Sequence, residues 1–418
     1  MRTLNYIDPF FSPLPAFRNV TSRNYKPVVT PKKAGSAKDT VVIKAAKGAI
    51  LTDTNNNEFV DFYHSHGTNI LGHHPDNLIK NIASYGMSTP AETLLTDAIR
   101  EASPSIDQVR LVSSGTNAVM SAIRLARTFT GKRKVIKFDG SIHGDSGPFQ
   151  VYPGLQLEFN SKVSSHGIPN EIVNDTIELP FNNVPLVLET FAKYRDDIAA
   201  IIVEPVPVNN GVILPDQGFL KFLRKVTSEH QSLLLFDEIT TGFRPKLSGA
   251  QGYFGVTPDL TILGKIIGGG FSMGAFGGRG EIMSLFTDES SVDYTGPDAI
   301  KAGYDAIQRL KSPLFYKTLN HISRDFIFCL KEITKDKGIV IHSFQSIFSI
   351  WFSGKEINNY ADSLNSDSKR FKHFHKKVWE NGIFLSPSQH KANFISMAHT
   401  PADLNRTLEV VNLVLKTL

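Results

Sequence analysis

The sequence predicts an α/β fold with a mostly parallel central sheet. From about residue 90 onwards, segments with helical periodicity alternate with short apolar segments, which is the pattern of α/β folds. The short segments are apolar almost throughout, as strands buried on both faces of a sheet should be. They are 108–114, 134–140, 198–206, 232–238, 260–264 and 273–278.

The segments that flank this alternation predict further elements. Residues 1–40 are rich in Pro, Ser and Lys and predict an irregular arm, while residues 41–62 predict a β-hairpin that turns at Asn55–Asn57. After residue 300 we expect a long amphipathic helix, a strand-like stretch, a helix at 369–382 and a last helix capped by Thr400. The expected domains are an N-terminal arm with strands that join the small domain (1–55), a large domain (56–300) and a small α+β domain (301–418).

Composition argues against two classes of protein. The chain has 41% hydrophobic and 20% charged residues, and no run approaches the roughly 18 apolar residues of a membrane span. Nine basic residues against Asp8 and Asp39 give residues 1–50 a net charge of +7, which leaves −2 for the rest of the chain. Because a nucleic-acid footprint would spread basic residues over the folded body, neither nucleic acid nor membrane is an expected partner. The basic arm is either solvated or packed over an anionic site.

The single cysteine and the first residues predict a cytoplasmic location. Cys329 cannot form an internal disulfide, and within the apolar sequence FIFCL it is expected to pack in the core. The opening residues lack the continuous apolar stretch and small-residue cleavage site of a secretory signal. A reducing cytoplasm suits both observations.

One lysine and one aspartate carry the strongest functional signal. Lys265 directly follows one apolar segment, and Asp237 lies at the end of another. A lysine amine holds pyridoxal phosphate as a Schiff base, and an aspartate beside the pyridine nitrogen keeps that nitrogen protonated. The alternatives, an exposed lysine and a helix-capping aspartate, suit such apolar surroundings less well. Ser114 and Glu204 also follow strand segments, and ligands bind beyond the carboxyl ends of such strands.

Residues 113–131 supply a candidate phosphate site. Ser114, Gly115 and Thr116 directly precede an amphipathic helix. Small residues let backbone N–H groups approach an anion, hydroxyls donate further hydrogen bonds, and the helix dipole favours negative charge. An ordinary Ser/Thr N-cap would have the same sequence, so the phosphate interpretation depends on the presence of Lys265 and Asp237.

Several long stretches resemble, in order and spacing, the class III aminotransferases of the fold type I pyridoxal-phosphate superfamily, and most of all the glutamate-1-semialdehyde 2,1-aminomutases. They are SSGTNAVMSAIRLARTFTG, VEPVPVNNGVILPDQGFL, FDEITTGFR, GAQGYFGVTPDLTILGKIIGGG, GAFGGRGEIM and FLSPSQHKANFISMAHT. The resemblance covers about residues 40–418. It implies the fold type I architecture, pyridoxal 5′-phosphate as cofactor and a homodimer whose sites are completed across the subunit interface, and no metal ligand is expected.

The resemblance implies roles for the matching residues. Lys265 would be the Schiff-base lysine, Asp237 would pair with the pyridine nitrogen, and Gly115 with Thr116 would bind the phosphate, next to Ser114. These roles agree with those that the residues themselves indicate.

At other positions of the resembling stretches the chain partly follows and partly departs from the family pattern. The stretch that begins at Glu204 would place Asn209 near the ring hydroxyl of the cofactor. The family's ring-stacking tyrosine is Ile142 here, followed by His143. Of the family's loop that reaches the neighbouring subunit's phosphate, this chain retains a threonine, Thr295, before Gly-Pro.

Two departures concern the substrate. The aminomutases have Ser-Trp-Gly where this chain has Ser65, His66 and Gly67, and an acid where it has Lys391. Basic residues at these positions favour a different, anionic substrate over glutamate 1-semialdehyde, unless they are exposed and take no part in binding.

The sequence therefore predicts an aminotransferase that moves an amino group between an amino donor and an anionic carbonyl substrate through Lys265. The freed lysine amine would move the proton between substrate and cofactor carbons. Two alternatives keep the cofactor and change the reaction, namely an ammonia-lyase and an aminomutase that acts on a small amino compound. A non-catalytic homologue is a third hypothesis, and the presence of Lys265 and Asp237 speaks against it.

Overall fold

The computed structural model describes residues 43–67, 69–73, 90–144, 151–152, 162–163, 173–286 and 296–418. The strands are β1 (Ile43–Lys47), β2 (Ile50–Asp53), β3 (Glu58–Asp61), β4 (Gln108–Val112), β5 (Lys134–Phe138), β6 (Val151–Tyr152), β7 (Lys162–Val163), β8 (Thr176–Leu179), β9 (Ile198–Val203), β10 (Leu233–Glu238), β11 (Leu260–Gly264), β12 (Gly274–Gly278), β13 (Val340–Phe344), β14 (Ile347–Trp351), β15 (Ile383–Phe384) and β16 (Asn393–Phe394). The predicted arm at 1–40 lies outside these residues.

The α-helices of the described chain surround these strands. They are α1 (His64–Gly67), α2 (Pro90–Ala102), α3 (Gly115–Thr130), α4 (Val184–Lys193), α5 (Phe219–Glu229), α6 (Gly249–Phe254), α7 (Gly280–Met283), α8 (Pro297–Leu310), α9 (Phe315–Thr334), α10 (Tyr360–Ser363), α11 (Ser368–Glu380) and α12 (Pro401–Leu415). A short 3-10 turn, Lys265–Gly268, follows β11. Within the ranges given above, no helix combines the length and the apolarity that crossing a bilayer would require.

A seven-stranded sheet forms the centre of the molecule. Its strand order is β4-β12-β11-β10-β9-β5-β8, and only β12 runs antiparallel to its neighbours. Every residue of β9, β10 and β11 is buried, which agrees with their apolar sequences. The six predicted strand segments all form strands of this sheet, and the α/β class with a mostly parallel sheet is confirmed. β8 was not among the predicted strands.

The N-terminal strands pair with a strand from the C-terminal part of the chain. The order of this sheet is β1-β2-β3-β15, with β15 parallel to β3. The predicted hairpin turn is present: Asp53 Oδ1 accepts hydrogen bonds of 2.8 Å from the backbone N–H groups of Asn55 and Asn57. The domain boundaries at residues 55 and 300 stay a prediction.

The C-terminal part contains the predicted strand-like stretch as a hairpin, β13 and β14, with β16 beside β14. The single long helix predicted after residue 300 is instead two helices, α8 and α9. The break between them contains Pro313, which has no backbone N–H and would clash inside a continuous helix. The last helix begins as predicted, because the side chains of Thr400 and Asp403 each accept a hydrogen bond from the other residue's backbone N–H.

Candidate active site

Four strand ends bring the predicted site residues to one edge of the central sheet. β4, β9, β10 and β11 run parallel, so their carboxyl ends lie at the same edge. Ser114 follows β4, Glu204 follows β9, Asp237 is the next-to-last residue of β10, and Lys265 follows β11. The topology thus gathers residues that are far apart in the sequence, as expected for ligand sites of α/β sheets.

Lys265 is partly buried and lies on a tightly packed turn. Its φ of +49° is in the left-handed region, which lysine rarely adopts, and its Nζ donates a hydrogen bond to Thr240 Oγ1. The turn packs directly on α8, since a Cβ added to Gly303 would lie 1.9 Å from the carbonyl oxygen of Ile267. Burial lowers the pKa of Lys265 to about 8, against the opposing effect of the Glu204 and Asp237 carboxylates.

Asp237 is fixed by a buried histidine. Its Oδ2 lies 2.8 Å from His143 Nδ1, and its Oδ1 accepts a hydrogen bond of 3.0 Å from the backbone N–H of Ile239. Burial lowers the pKa of His143, while the hydrogen bond to Asp237 opposes that shift. Because a neutral imidazole that faces a carboxylate donates to it, the Nδ1 atom carries the proton. The sequence did not predict this pair, whose members are 94 positions apart.

Glu204 connects two segments of the site. Its Oε1 accepts a hydrogen bond of 3.1 Å from the backbone N–H of Ile142, and its Oε2 accepts one of 3.4 Å from that of Val208. Burial, and then the negative charge of Asp237, raise the pKa of Glu204 to about 8. Glu204 therefore holds the backbone at Ile142 next to the loop that carries Asn209. The Ile142 side chain itself is 53% exposed.

The N-terminus of α3 has the close backbone packing that a phosphate site requires. Ser114 is the N-cap, and its Oγ accepts a hydrogen bond of 3.2 Å from the backbone N–H of Asn117. A Cβ added to Gly274 would lie 2.2 Å from the carbonyl oxygen of Ser114, and one added to Gly144 would lie 2.6 Å from Thr116 Oγ1. Glycines thus let two neighbouring segments approach the start of the helix.

A pocket joins Lys265 to two other predicted site residues, Asn209 and Lys391. Its lining residues are Tyr63, Val208, Asn209, Lys265, Lys391, Ala392 and Phe394. The predicted substrate residues Ser65 and His66 lie on α1, and their side chains are outside the described part of the structure. Thr295 also lies outside the described residues.

The residues present fit pyridoxal phosphate. Lys265 offers a partly buried amine of lowered pKa, and the N-terminus of α3 offers backbone N–H groups and the hydroxyl of Thr116 to a phosphate. Asp237 has two carboxylate oxygens with about four acceptor positions, of which His143 and Ile239 take two. Acceptor capacity therefore remains on Asp237 for a pyridinium N–H.

Arg244 is a site residue that the sequence analysis missed. Its side chain is fully buried, with Nη2 donating to the carbonyl oxygen of Gly67 at 2.6 Å and Nη1 to that of Ile395 at 3.3 Å. The guanidinium lies 5.1 Å from the centre of the Phe394 ring, which lines the pocket. Arg244 is the last residue of FDEITTGFR, one of the stretches that resemble the family. Its hydrogen-bond partners are 151 and 177 positions away in the sequence, so the stretch itself does not reveal them.

A second group that the sequence did not point to lies at the start of α1. Asp61, His64 and His73 bring side-chain atoms of metal-ligand type within 4.8 Å of one another. Asp61 Oδ2 and His73 Nε2 are already hydrogen-bonded at 2.6 Å, and Asn69 Nδ2 lies 3.1 Å from His73 Nδ1. These hydrogen bonds fix the connection between β3 and the segment after α1.

The fold and this arrangement define a pyridoxal-phosphate enzyme of fold type I. The family model of the class-III aminotransferases matches residues 32–400, and the chain belongs to this family. Enzymes of the family use pyridoxal 5′-phosphate as their cofactor.

Named relatives give a narrower comparison. The chain is 42% identical to the glutamate-1-semialdehyde 2,1-aminomutase of Fusobacterium nucleatum over 392 residues, which are 90% of each chain. It is 40% identical to that of Thermosipho africanus over 381 residues, 88% of this chain and 90% of the relative. Among solved structures, an omega-transaminase from Sphaerobacter thermophilus is 28% identical with a TM-score of 0.85 and 93% of each chain covered. A glutamate-1-semialdehyde aminomutase from Pseudomonas aeruginosa PAO1, at 19% identity and a TM-score of 0.79 over 90% of this chain and 87% of that one, shows the fold alone.

Proposed function

We propose that this enzyme uses pyridoxal phosphate to move an amino group between two carbons of one small, anionic amino-carbonyl compound, as an aminomutase does. The observation that carries the proposal is the long match, at about 40% identity, to relatives named as aminomutases. The sequence alone favours an aminotransferase with separate amino donor and carbonyl acceptor. The relatives favour its aminomutase alternative.

Five residues would hold the cofactor. Gly115 and Thr116 would bind the phosphate, Asp237 the pyridine nitrogen, Asn209 the ring hydroxyl, and Lys265 would be attached covalently. Bound in this way, the cofactor supplies an electron sink for the carbon that loses a proton. His143 keeps the Asp237 carboxylate oriented through their 2.8 Å hydrogen bond.

Lys265 would move the proton. A general base must be neutral, and burial favours the neutral amine by lowering the pKa of Lys265 to about 8. The Nζ atom takes the proton from the substrate carbon that carries the amino group and returns it at a neighbouring position. Thr240 Oγ1, which accepts a hydrogen bond from Nζ, holds the position of the amine.

Lys391 supports an anionic substrate. It lines the same pocket as Lys265, so a substrate that reaches the Lys265 amine would bring a carboxylate or similar group near the Lys391 ammonium. The positively charged Lys391 stands where the resemblance places an acid in the aminomutases. We therefore infer that the compound differs from glutamate 1-semialdehyde, or binds in a different orientation.

The second candidate function is transamination to a separate carbonyl acceptor. It is favoured by Lys391, which departs from the aminomutase pattern, and by the likeness to an omega-transaminase. An ammonia-lyase and a non-catalytic homologue are the remaining alternatives. A homodimer and a cytoplasmic location complete the proposal, and light scattering of the purified protein would test the former.

The experiment supplies one substrate at a time to the cofactor-loaded enzyme. Glutamate 1-semialdehyde and related amino-carbonyl compounds are added without any acceptor, and products, ammonia and the absorbance of the cofactor are followed. An aminomutase converts a single compound catalytically and releases no ammonia. A single half-reaction that resumes only when a carbonyl acceptor is added would establish the aminotransferase instead, and catalytic ammonia release would establish the lyase.

Two variants make this experiment specific. Lys265→Ala should slow every reaction by a factor on the order of 10² to 10⁴, which excludes a contaminating enzyme as the source of activity. Lys391→Met should raise the KM for anionic compounds, whereas Lys369→Met, at an exposed position of α11, should leave it unchanged. If no compound reacts and added pyridoxal phosphate gives no Lys265-dependent absorbance, the enzyme proposal is wrong.

A further inference from the structure

Arg244 is a buried cation without an acidic partner among the described residues. Its side chain is 0% exposed, and it donates hydrogen bonds to the backbone carbonyls of Gly67 and Ile395. Burial lowers the pKa of Arg244 to about 9. A buried charge is normally paired with an opposite charge, because its removal from water is costly. Such an arrangement is expected where the charge has a function.

The contacts of Arg244 join the two segments that carry the predicted substrate residues. Gly67 ends α1, the helix of Ser65 and His66, and Ile395 lies four positions after Lys391. Arg244 itself follows β10, seven positions after Asp237. One side chain therefore ties both substrate segments to the strand that holds the cofactor's ring partner.

Phe394 is the third contact. The guanidinium lies 5.1 Å from the centre of its ring, and Phe394 also lines the pocket with Lys265 and Lys391. Gly67 packs against the ring edge so closely that an added Cβ would lie 2.6 Å from Phe394 Cε1. In addition, the backbone N–H of Phe394 donates to the carbonyl oxygen of Phe62 at 2.8 Å. Arg244, Gly67 and Phe394 form one rigid unit at the wall of the pocket.

We propose that Arg244 is a positioning residue for the anionic substrate, which fixes the Ser65–Gly67 and Lys391–Ile395 segments relative to β10 and adds buried positive charge next to Phe394. The inference rests on the proposed function, since it assumes an anionic ligand in the Lys265 pocket. Positive charge in a water-poor environment acts over a longer range than at the surface. It would favour an anion at Lys391 without touching it.

Two substitutions of Arg244 separate the effect of its geometry from that of its charge. Arg244→Lys keeps the positive charge, but a single ammonium cannot span two carbonyls as the guanidinium fork does. Arg244→Gln removes the charge and keeps hydrogen-bond donors. We expect Arg244→Lys to weaken binding of succinate, used as a dicarboxylate probe, by about tenfold, and Arg244→Gln by more. The affinity for pyridoxal phosphate should change less than twofold, because in the described part of the chain Arg244 has no hydrogen bond to any of the five residues proposed to hold the cofactor.

Gly67→Ala disturbs the packing of Arg244, Gly67 and Phe394 without altering the buried charge. In Gly67→Ala the new methyl group meets the Phe394 ring, and we expect the same selective loss of succinate binding. Gly218→Ala is the matched control, because Gly218 has a φ of +88° against +83° for Gly67 but nothing within 4 Å of an added Cβ. Backbone strain alone would therefore affect both variants equally.

Calorimetric titration with succinate and absorbance titration with pyridoxal phosphate are run on all variants, with Lys391→Met beside them. Selective loss of succinate binding in Arg244→Lys and Gly67→Ala supports the inference. If both ligands are lost equally, Arg244 is merely structural and the inference is wrong. If Lys391→Met weakens succinate binding while the Arg244 and Gly67 variants do not, the inference fails and the anionic substrate stands. If none of the variants changes succinate binding, the anionic-substrate proposal fails too.

Discussion

His143 Nδ1 lies 2.8 Å from Asp237 Oδ2, and both side chains are buried. The hydrogen bond occupies one side of the carboxylate and leaves the rest for a ligand. It also fixes the rotation of the carboxylate, because the backbone N–H of Ile239 holds the other oxygen. His143, which the sequence did not identify as a partner of Asp237, thus fixes the orientation of the carboxylate proposed to bind the pyridine nitrogen.

Replacing His143 should weaken cofactor binding. His143→Phe removes a hydrogen bond to a charged group, worth about 1.5 to 3 kcal/mol, so the affinity for pyridoxal phosphate should fall roughly tenfold to a hundredfold. Absorbance titration of the apoprotein measures it. His143→Asn retains a donor and should recover part of the loss. Equal affinities of His143→Phe and wild type would show that the hydrogen bond does not orient Asp237.

Lys265→Ala should lose covalent attachment of the cofactor. Borohydride reduction followed by mass spectrometry should find pyridoxal phosphate on the Lys265 peptide of the wild type and nowhere in the variant. Turnover should fall by a factor on the order of 10² to 10⁴, because the proton-transfer group is lost. Lys225→Ala, at a lysine with 74% side-chain exposure, is the control. Attachment at another lysine would contradict the assignment.

The stability of the apoprotein should depend on pH through Glu204. Burial raises the pKa of Glu204 from 4.5 to about 8, so between these values the folded state holds a proton that the unfolded state has lost. Stability contributed by this group is therefore present below pH 4.5 and is lost as pH rises towards 8, at about 1.4 kcal/mol per pH unit for one proton. Above pH 8 the titration of Lys265 has the opposite effect: its pKa is lowered from 10.5 to about 8 in the folded state, so its contribution to stability rises with pH.

Glu204→Gln isolates this effect. The glutamine side chain has one acceptor oxygen and cannot replace both backbone hydrogen bonds of Glu204, so we expect a loss of stability that is the same at every pH. The fall in the free energy of unfolding between pH 5 and 8 should become shallower than in the wild type, because the glutamine does not titrate. Urea denaturation of both apoproteins at several pH values measures the difference. Parallel curves over this range would mean that Glu204 is ionised in the folded protein.

Gly211→Ala should destabilise the loop that carries Asn209. An added Cβ would lie 1.8 Å from Trp351 Cζ2, and the φ of +83° is unfavourable for alanine. We expect a loss of about 2 kcal/mol or more in the free energy of unfolding. Gly218→Ala, with φ +88° and open space around it, should lose about 1 kcal/mol. Equal losses would show that the loop moves away from Trp351 at no cost.

The strands of the central sheet could be predicted because their sequences carry the signal locally. Residues 260–264, for example, are a short apolar run, and β11 has these bounds. β8 was missed since Thr176–Leu179 is only four residues long and alternates less clearly. The break between α8 and α9 at Pro313 was readable in principle, but the amphipathic pattern on both sides of it suggested one helix.

The residues of the candidate site could also be predicted only in part. Lys265, Asp237 and the start of α3 stand at the ends of recognisable segments, so their convergence followed from topology. The pairing of His143 with Asp237 and the contacts of Arg244 with Gly67 and Ile395 join residues 94 to 177 positions apart. No periodicity or local motif encodes such contacts, which depend on how loops pack after the sheet has formed.

The left-handed backbone at Lys265 places two selective pressures in conflict at one position. At φ +49° glycine or asparagine would adopt the backbone at lower conformational free energy than lysine, by about 1 kcal/mol. A library of variants sorted for thermal resistance alone would therefore drift away from lysine at position 265, and one sorted for turnover would restore it. The most informative residue of this chain is one that folding by itself would not choose.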